Sequence, residues 1–170
     1  MTAVGQVKRA VAAAIEAAGY AAIESYSTEQ LKRYESAVAA VGTKETVIEE
    51  SGAAQYLGEK VNDATQETLA VYGRKMLLTL LIEVYAPRTL GAAGCEEAAE
   101  TVTQALMTAL PEGLKLRTLQ WGKTGWDKTT GMFRLDASAK YAAYFVAEAA
   151  EDDETVFTDF VLKGTVKERE

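Results

Sequence analysis

The sequence predicts an α+β fold: a mixed, mostly antiparallel four- or five-stranded sheet with two main helices packed on one face. Three observations carry that expectation. Within residues 131–150, Phe133, Leu135, Ala137, Ala139, Tyr141, Ala143, Phe145 and Ala147 fall on every second position. Arg134, Asp136, Ser138, Lys140, Ala142, Tyr144, Val146 and Glu148 fall between them. A period of two marks a strand with one apolar face. Residues 72–86 alternate in the same way, whereas residues 3–18 and 93–109 carry apolar side chains at helical spacing.

Composition narrows the class. The 170 residues fit one domain, 1–170. Such a chain can bury roughly 70% of its unfolded surface. Twenty-five acids against 18 bases give a net charge of −7, which argues against a duplex-binding module with a basic face. There is no histidine, so no Ser-His or Cys-His nucleophile pair can form. One cysteine, Cys95, excludes an intrachain disulfide and any multi-cysteine zinc site. The N-terminus is not a signal h-region, and no run approaches the ~18 apolar residues of a membrane span. A cytoplasmic site of synthesis and no membrane association are expected.

In chain order, Val4, Val7, Val11, Ala14, Ile15 and Ala18 stripe the first helix, with Thr2 to cap it and Gly19 to end it. Ser27 with Gln30 has capping-box spacing, so a short helix is expected near 28–34. The run 37–41 suits a buried strand, interrupted by Gly42 and continued by residues 46–49. Residues 50–70 read as a long surface loop, functional or disordered, anchored by Tyr56, Leu57 and Val61. The strand 72–86 is apolar on both faces in its middle and is expected to be covered on both sides; Pro87 ends it.

The helix 93–109 turns Ala98, Val102, Ala105, Leu106 and Ala109 inward, with acids placed in its first turn. Residues 114–122 form a strand with a phase slip between Leu116 and Leu119. Residues 122–131 form a hairpin loop. Gly122-Lys123-Thr124 is similar to the end of a phosphate-binding loop, but that motif needs glycine at position 117, which is Arg117. A second hairpin loop over 151–154 and a last strand over 156–163 complete the sheet. Its outer face would carry Leu77, Leu81, Tyr85, Tyr144 and Val146, an apolar surface that self-association would cover.

Several short stretches carry a family resemblance. They are Tyr85-Ala86-Pro87, Gly94-Cys95-Glu96-Glu97-Ala98, Leu110-Pro111-Glu112-Gly113-Leu114, Tyr144-Phe145-Val146-Ala147-Glu148 and Phe157-Thr158-Asp159-Phe160. In this element order they resemble small virion proteins of tailed phages and prophages of Gram-positive bacteria. The class is the tail terminator (tail-to-head joining) or minor tail proteins of long-tailed phages. The resemblance implies a structural, non-enzymatic protein with no cofactor or metal. It would form a homo-oligomeric ring, commonly a hexamer, on the end of the tail tube. Its partners would be itself, the tail tube protein and a head-completion protein, with DNA passing without specific binding. Its location would be the tail-head junction of the virion, after assembly in the host cytoplasm.

An acidic lumen repels phosphates, so net negative charge fits that role. Tyr85, Tyr144, Glu148, Glu151, Asp152, Asp153 and Glu154 are the candidate interface or lumen residues. The competing reading of the acidic run is a solvated hairpin tip. Tyr56, Leu57, Glu59 and Lys60 are the candidate ring-contact residues of the 50–70 loop. Two other classes stay open. One is a small carboxylate or metal-dependent α/β enzyme using Glu96, Glu97 and Glu100 or the acids of 151–154. The other is a dimeric ligand-binding domain.

Overall fold

A computed structural model describes residues 3–24, 27–51, 53–61 and 65–148. Among these residues three α-helices, α1 (Ala3–Ala17), α2 (Thr28–Leu31) and α3 (Gly91–Thr108), and one 3-10 turn (Ala53–Gln55) accompany seven strands. The strands are β1 (Ala21–Ile23), β2 (Val38–Glu49), β3 (Tyr56–Val61), β4 (Thr68–Ala86), β5 (Lys115–Trp121), β6 (Gly125–Asp127) and β7 (Met132–Glu148). They make one sheet in the order β1-β2-β4-β7-β5, with β3 beside the start of β4 and β6 beside the start of β7. Only β1 and β2 run parallel; every other pair is antiparallel. The α+β class and the mixed, mostly antiparallel sheet are as the sequence predicts. The extra strands are the short β1 and β6, which lack periodicity, and β3.

The two long helices share one face of the sheet. Val7, Val11 and Ile15 of α1 and Cys95, Ala98, Val102 and Leu106 of α3 meet Met76, Leu78, Leu80, Ile82 and Val84 of β4 in one core. Leu135, Ala137, Ala139, Tyr141 and Ala143 of β7 join it. Alanines on β7 and α1 keep the layers close, and each fully buried Leu or Ile there contributes about 1.5–3 kcal/mol. Gly19, at φ +95°, ends α1 as a left-handed cap, with its amide donating to the Glu16 carbonyl at 2.9 Å. The Trp121 indole N–H donates to Thr103 Oγ1 at 2.8 Å, and Thr103 donates to the Ala99 carbonyl at 2.8 Å, tying β5 to α3.

Several expectations need correction. β2 runs unbroken through Gly42, because the register slip is taken up by a bulge at Lys44. The expected phase slip in β5 is real and lies at Arg117. α3 begins at Gly91, so Glu96 and Glu97 fall beyond its first turn, and Ala109 is exposed. Among the described residues β4 is fully covered on one face only. On the other, α2 covers just one end, where Leu31, Val38, Ala40, Tyr85 and Met132 form a small second core. Ser27 caps α2 as expected, its hydroxyl accepting from the Gln30 amide at 3.3 Å. Thr2 and the strand expected over 156–163 lie outside the described residues.

Tyr141 sits in the main core at 1% exposure, and burial pushes its phenol well above the usual range. Among the described residues its hydroxyl has no hydrogen-bond partner. An unpaired buried hydroxyl costs about 1–3 kcal/mol. Tyr141→Phe therefore raises stability by about 1 kcal/mol. Denaturant midpoints at unchanged slope measure this, and a loss instead would mean that the hydroxyl is satisfied in solution.

Candidate functional site

The candidate site is the face of the sheet that the long helices leave uncovered among the described residues, together with the paired strands β3 and β4 that extend it as an arm. β3 continues the direction of β2 after an interruption at residues 50–55, where Ala54 and Gln55 take positive φ. It pairs with β4 from Tyr56↔Tyr72 to Val61↔Thr68. The described part of β7 pairs with β4 as far as Val71, and beyond that point β3 is the one described neighbour of β4. Within the stretch expected as a long loop, Tyr56–Val61 and the start of β4 are thus paired strands. The sequence hid this because Glu59 and Lys60 interrupt the apolar alternation and Leu57 sits at a bulge.

The base of the arm is locked at Gly73. A Cβ there would overlap the Phe145 carbonyl oxygen and lie 2.8 Å from Leu57 Cδ1. Leu57 packs into that space, and the Ser51 hydroxyl donates to the Gly73 carbonyl. On this base stand Tyr56 and Tyr72, about half exposed, edge to face with centroids 5.8 Å apart. Arg74 Nε donates to Gln55 Oε1 at 3.3 Å beside them. Val47, Ile48, Val61 and Leu69 add further exposed aliphatic side chains to the same end. Large apolar groups clustered outside the core mark a contact surface more often than isolated ones do.

The outer face itself is mixed. Leu77, Leu81, Tyr144 and Val146 are half-buried, Val47 is more exposed, and Lys75 pairs with Glu49 at 3.7 Å. At its α2 end, Glu83 of β4 lies directly opposite Asp136 of β7. Two carboxylates so placed repel. Arg134 bridges them: its Nη2 is 2.6 Å from Glu83 Oε1, and it binds Asp136 through two bonds of 2.6 and 2.8 Å. Tyr85 donates its hydroxyl to Glu83 Oε1 at 3.3 Å. The bonds to Asp136 first, and the Glu83 charge after them, hold the guanidinium more firmly protonated than usual against the opposing cost of burial. No sequence pattern announces this triad, because Glu83 and Arg134 meet only through strand pairing.

The expected site residues separate. Tyr85 is not an interface residue: it is 2% exposed in the second core, since α2 covers the strand where it lies. Tyr144 is half-buried on the outer face, in register with Lys75. Glu148 ends β7 opposite Val71, while Glu151, Asp152, Asp153 and Glu154 lie outside the described residues. Tyr56, Glu59 and Lys60 are exposed on β3, but Leu57 is buried against Gly73 and presents no contact surface.

Chemistry at the remaining candidates is limited by position. Glu96 accepts from the Thr124 hydroxyl at 2.9 Å, and among the described residues no three Cys, Asp or Glu side chains converge at metal-binding distance. Among those residues no helix is long and apolar enough to cross a membrane. Gly122-Lys123-Thr124 leads into β6, with no helix to receive a phosphate. Cys95 is buried, and its thiol donates to the Val84 carbonyl at 3.3 Å. Burial, reinforced by Glu96 and Asp136, pushes the thiol up to about 11. The thiolate is the nucleophile. Cys95 therefore labels at neutral pH only as fast as the protein opens. Its labelling rate should rise with denaturant alongside unfolding; rapid stoichiometric labelling of the native protein would contradict this burial.

A scan against protein-family models matches none, and a search of curated proteins finds no significant relative.

Proposed function

We propose that this chain is a structural assembly protein that forms a ring on the end of a phage tail tube and joins tail to head. The observation that carries the reading is the one-sided roofing of the sheet. α1 and α3 cover one face, while the other face and the Tyr56–Tyr72 arm hold apolar side chains outside the core. Surfaces of this kind are completed by other copies or by partner subunits. The assignment to a tail terminator comes from the resemblance in Tyr85-Ala86-Pro87, Gly94–Ala98 and Leu110–Leu114. The partners are then further copies of this chain, the tail tube protein and a head-completion protein. The net charge of −7 suits a channel that DNA crosses without sticking.

The test is deletion of the chain from the phage that encodes it. Tails of uncontrolled length and separate, unjoined heads should accumulate, counted by negative-stain electron microscopy. Purified protein added back should cap tube ends. Normal-length tails carrying heads in the deletion would overturn the reading.

A further inference from the structure

Resting on the ring reading, we infer that neighbouring copies join by strand pairing between two different edges that no described strand occupies, β2 of one and β5 of the next. Along β2, β1 occupies only Val38 to Ala40, so no described strand pairs with the outer edge of Val41 to Glu49. β5 ends the sheet on the other side, with no described strand beyond it. Among the described residues both edges leave backbone donors and acceptors without a strand partner, the template for strand addition.

The two edges differ in charge. Residues 43–50 of the β2 edge carry Glu45, Glu49 and Glu50 against Lys44. Residues 115–123 carry Lys115, Arg117 and Lys123 and no acid. An acidic edge and a basic edge repel their own kind and attract each other, which favours a head-to-tail contact over a two-fold one.

Geometry supplies the second argument. Following the ladders across the sheet, Val41 is level with Ile82, Ala137 and Trp121. Val47 is level with Leu77, Ala142 and Lys115. The unoccupied part of β2 and the whole of β5 therefore share the same rows of the ladder. Each step across β2, β4, β7 and β5 is antiparallel, so β5 runs opposite to β2. A rotation about an axis parallel to the strands, with no rise, brings β5 of one copy antiparallel to Val41–Val47 of the next. A head-to-tail contact without rise closes into a ring when its rotation is a whole fraction of a turn. In that register Lys115 faces Val47 and sits diagonally between Glu45 and Glu49, within the reach of cross-strand neighbours. Glu49 is held by Lys75 only at 3.7 Å and near the surface, a weak pair that leaves it able to meet a second cation.

Paired cysteines test the contact. Directly opposed residues hold their Cβ atoms about 4.5–5.5 Å apart, close enough for a disulfide once the strands settle. Mild oxidation of the Val47→Cys/Lys115→Cys variant should give a ladder of covalent multimers ending at the ring size on a denaturing gel. Each single variant should stay monomeric on that gel, and mixing the two should give dimers only; Cys95 is buried and stays silent. In solution, Glu45→Lys/Glu49→Lys and Lys115→Glu/Arg117→Glu should each abolish assembly by light scattering, and mixing them should restore it. Dimers from Val47→Cys alone would mean a two-fold contact and overturn the proposal. A wild-type protein that is monomeric at every concentration would also overturn it. A ring of fixed size indifferent to both charge variants would overturn the edge pairing while leaving the ring reading standing. The deletion phenotype tests that reading independently.

Discussion

Arg134→Met is expected to lose about 2–3 kcal/mol of stability. The guanidinium bridges Glu83, whose side chain is 5% exposed, and Asp136, the residue opposite it. Removing the cation leaves a buried carboxylate beside a second carboxylate. Breaking a buried pair from one side costs about 3–5 kcal/mol. Arg134 is 37% exposed, so water screens part of that loss and the lower figure applies. For a domain of this size the melting temperature should fall by about 5–10 °C. Glu83→Met/Arg134→Met removes the stranded charge as well, and should recover most of the loss. Calorimetry on the two variants decides the matter. Equal stability of Arg134→Met and wild type would mean that the bridge from Arg134 to Glu83 does not form in solution.

Gly73→Ala is the other large effect, about 3 kcal/mol. Its cause is steric and local. A methyl group at 73 meets the Phe145 carbonyl oxygen, part of the neighbouring strand, and the Leu57 side chain. A flexible side chain could turn away, but the strand backbone cannot move without parting β4 from β7. Overpacking that forces the backbone to shift costs about 1–3 kcal/mol, occasionally more. The damage should concentrate at the arm. Amides of β3 and of β4 before Lys75 should lose hydrogen-exchange protection, while those of α3 and the middle of β4 keep it. Gly42→Ala is the control, because its Cβ would lie 3.9 Å from the Leu81 carbonyl oxygen in ordinary contact. It should leave stability within about 1 kcal/mol of wild type. If the two variants were equally stable, the close approach at Gly73 would be wrong.

Local pattern alone determined the long elements. The alternation from Phe133 to Ala147 specified β7 and its inward face, because side chains on a strand must alternate. The stripe Val7, Val11, Ile15 specified α1, and Ser27 with Gln30 specified the cap of α2. Gly19 specified where α1 stops, since only its left-handed backbone makes that turn cheaply. What the sequence could not decide was anything made by residues distant along the chain. Tyr85 alternates as an outward residue, yet α2 folds over it; Leu57 and Gly73 need each other, and only the pairing of β3 with β4 brings them together. Glu83, Arg134 and Asp136 form a triad for the same reason. Periodicity reports which way one side chain points, while burial and charge pairing depend on which strands lie side by side.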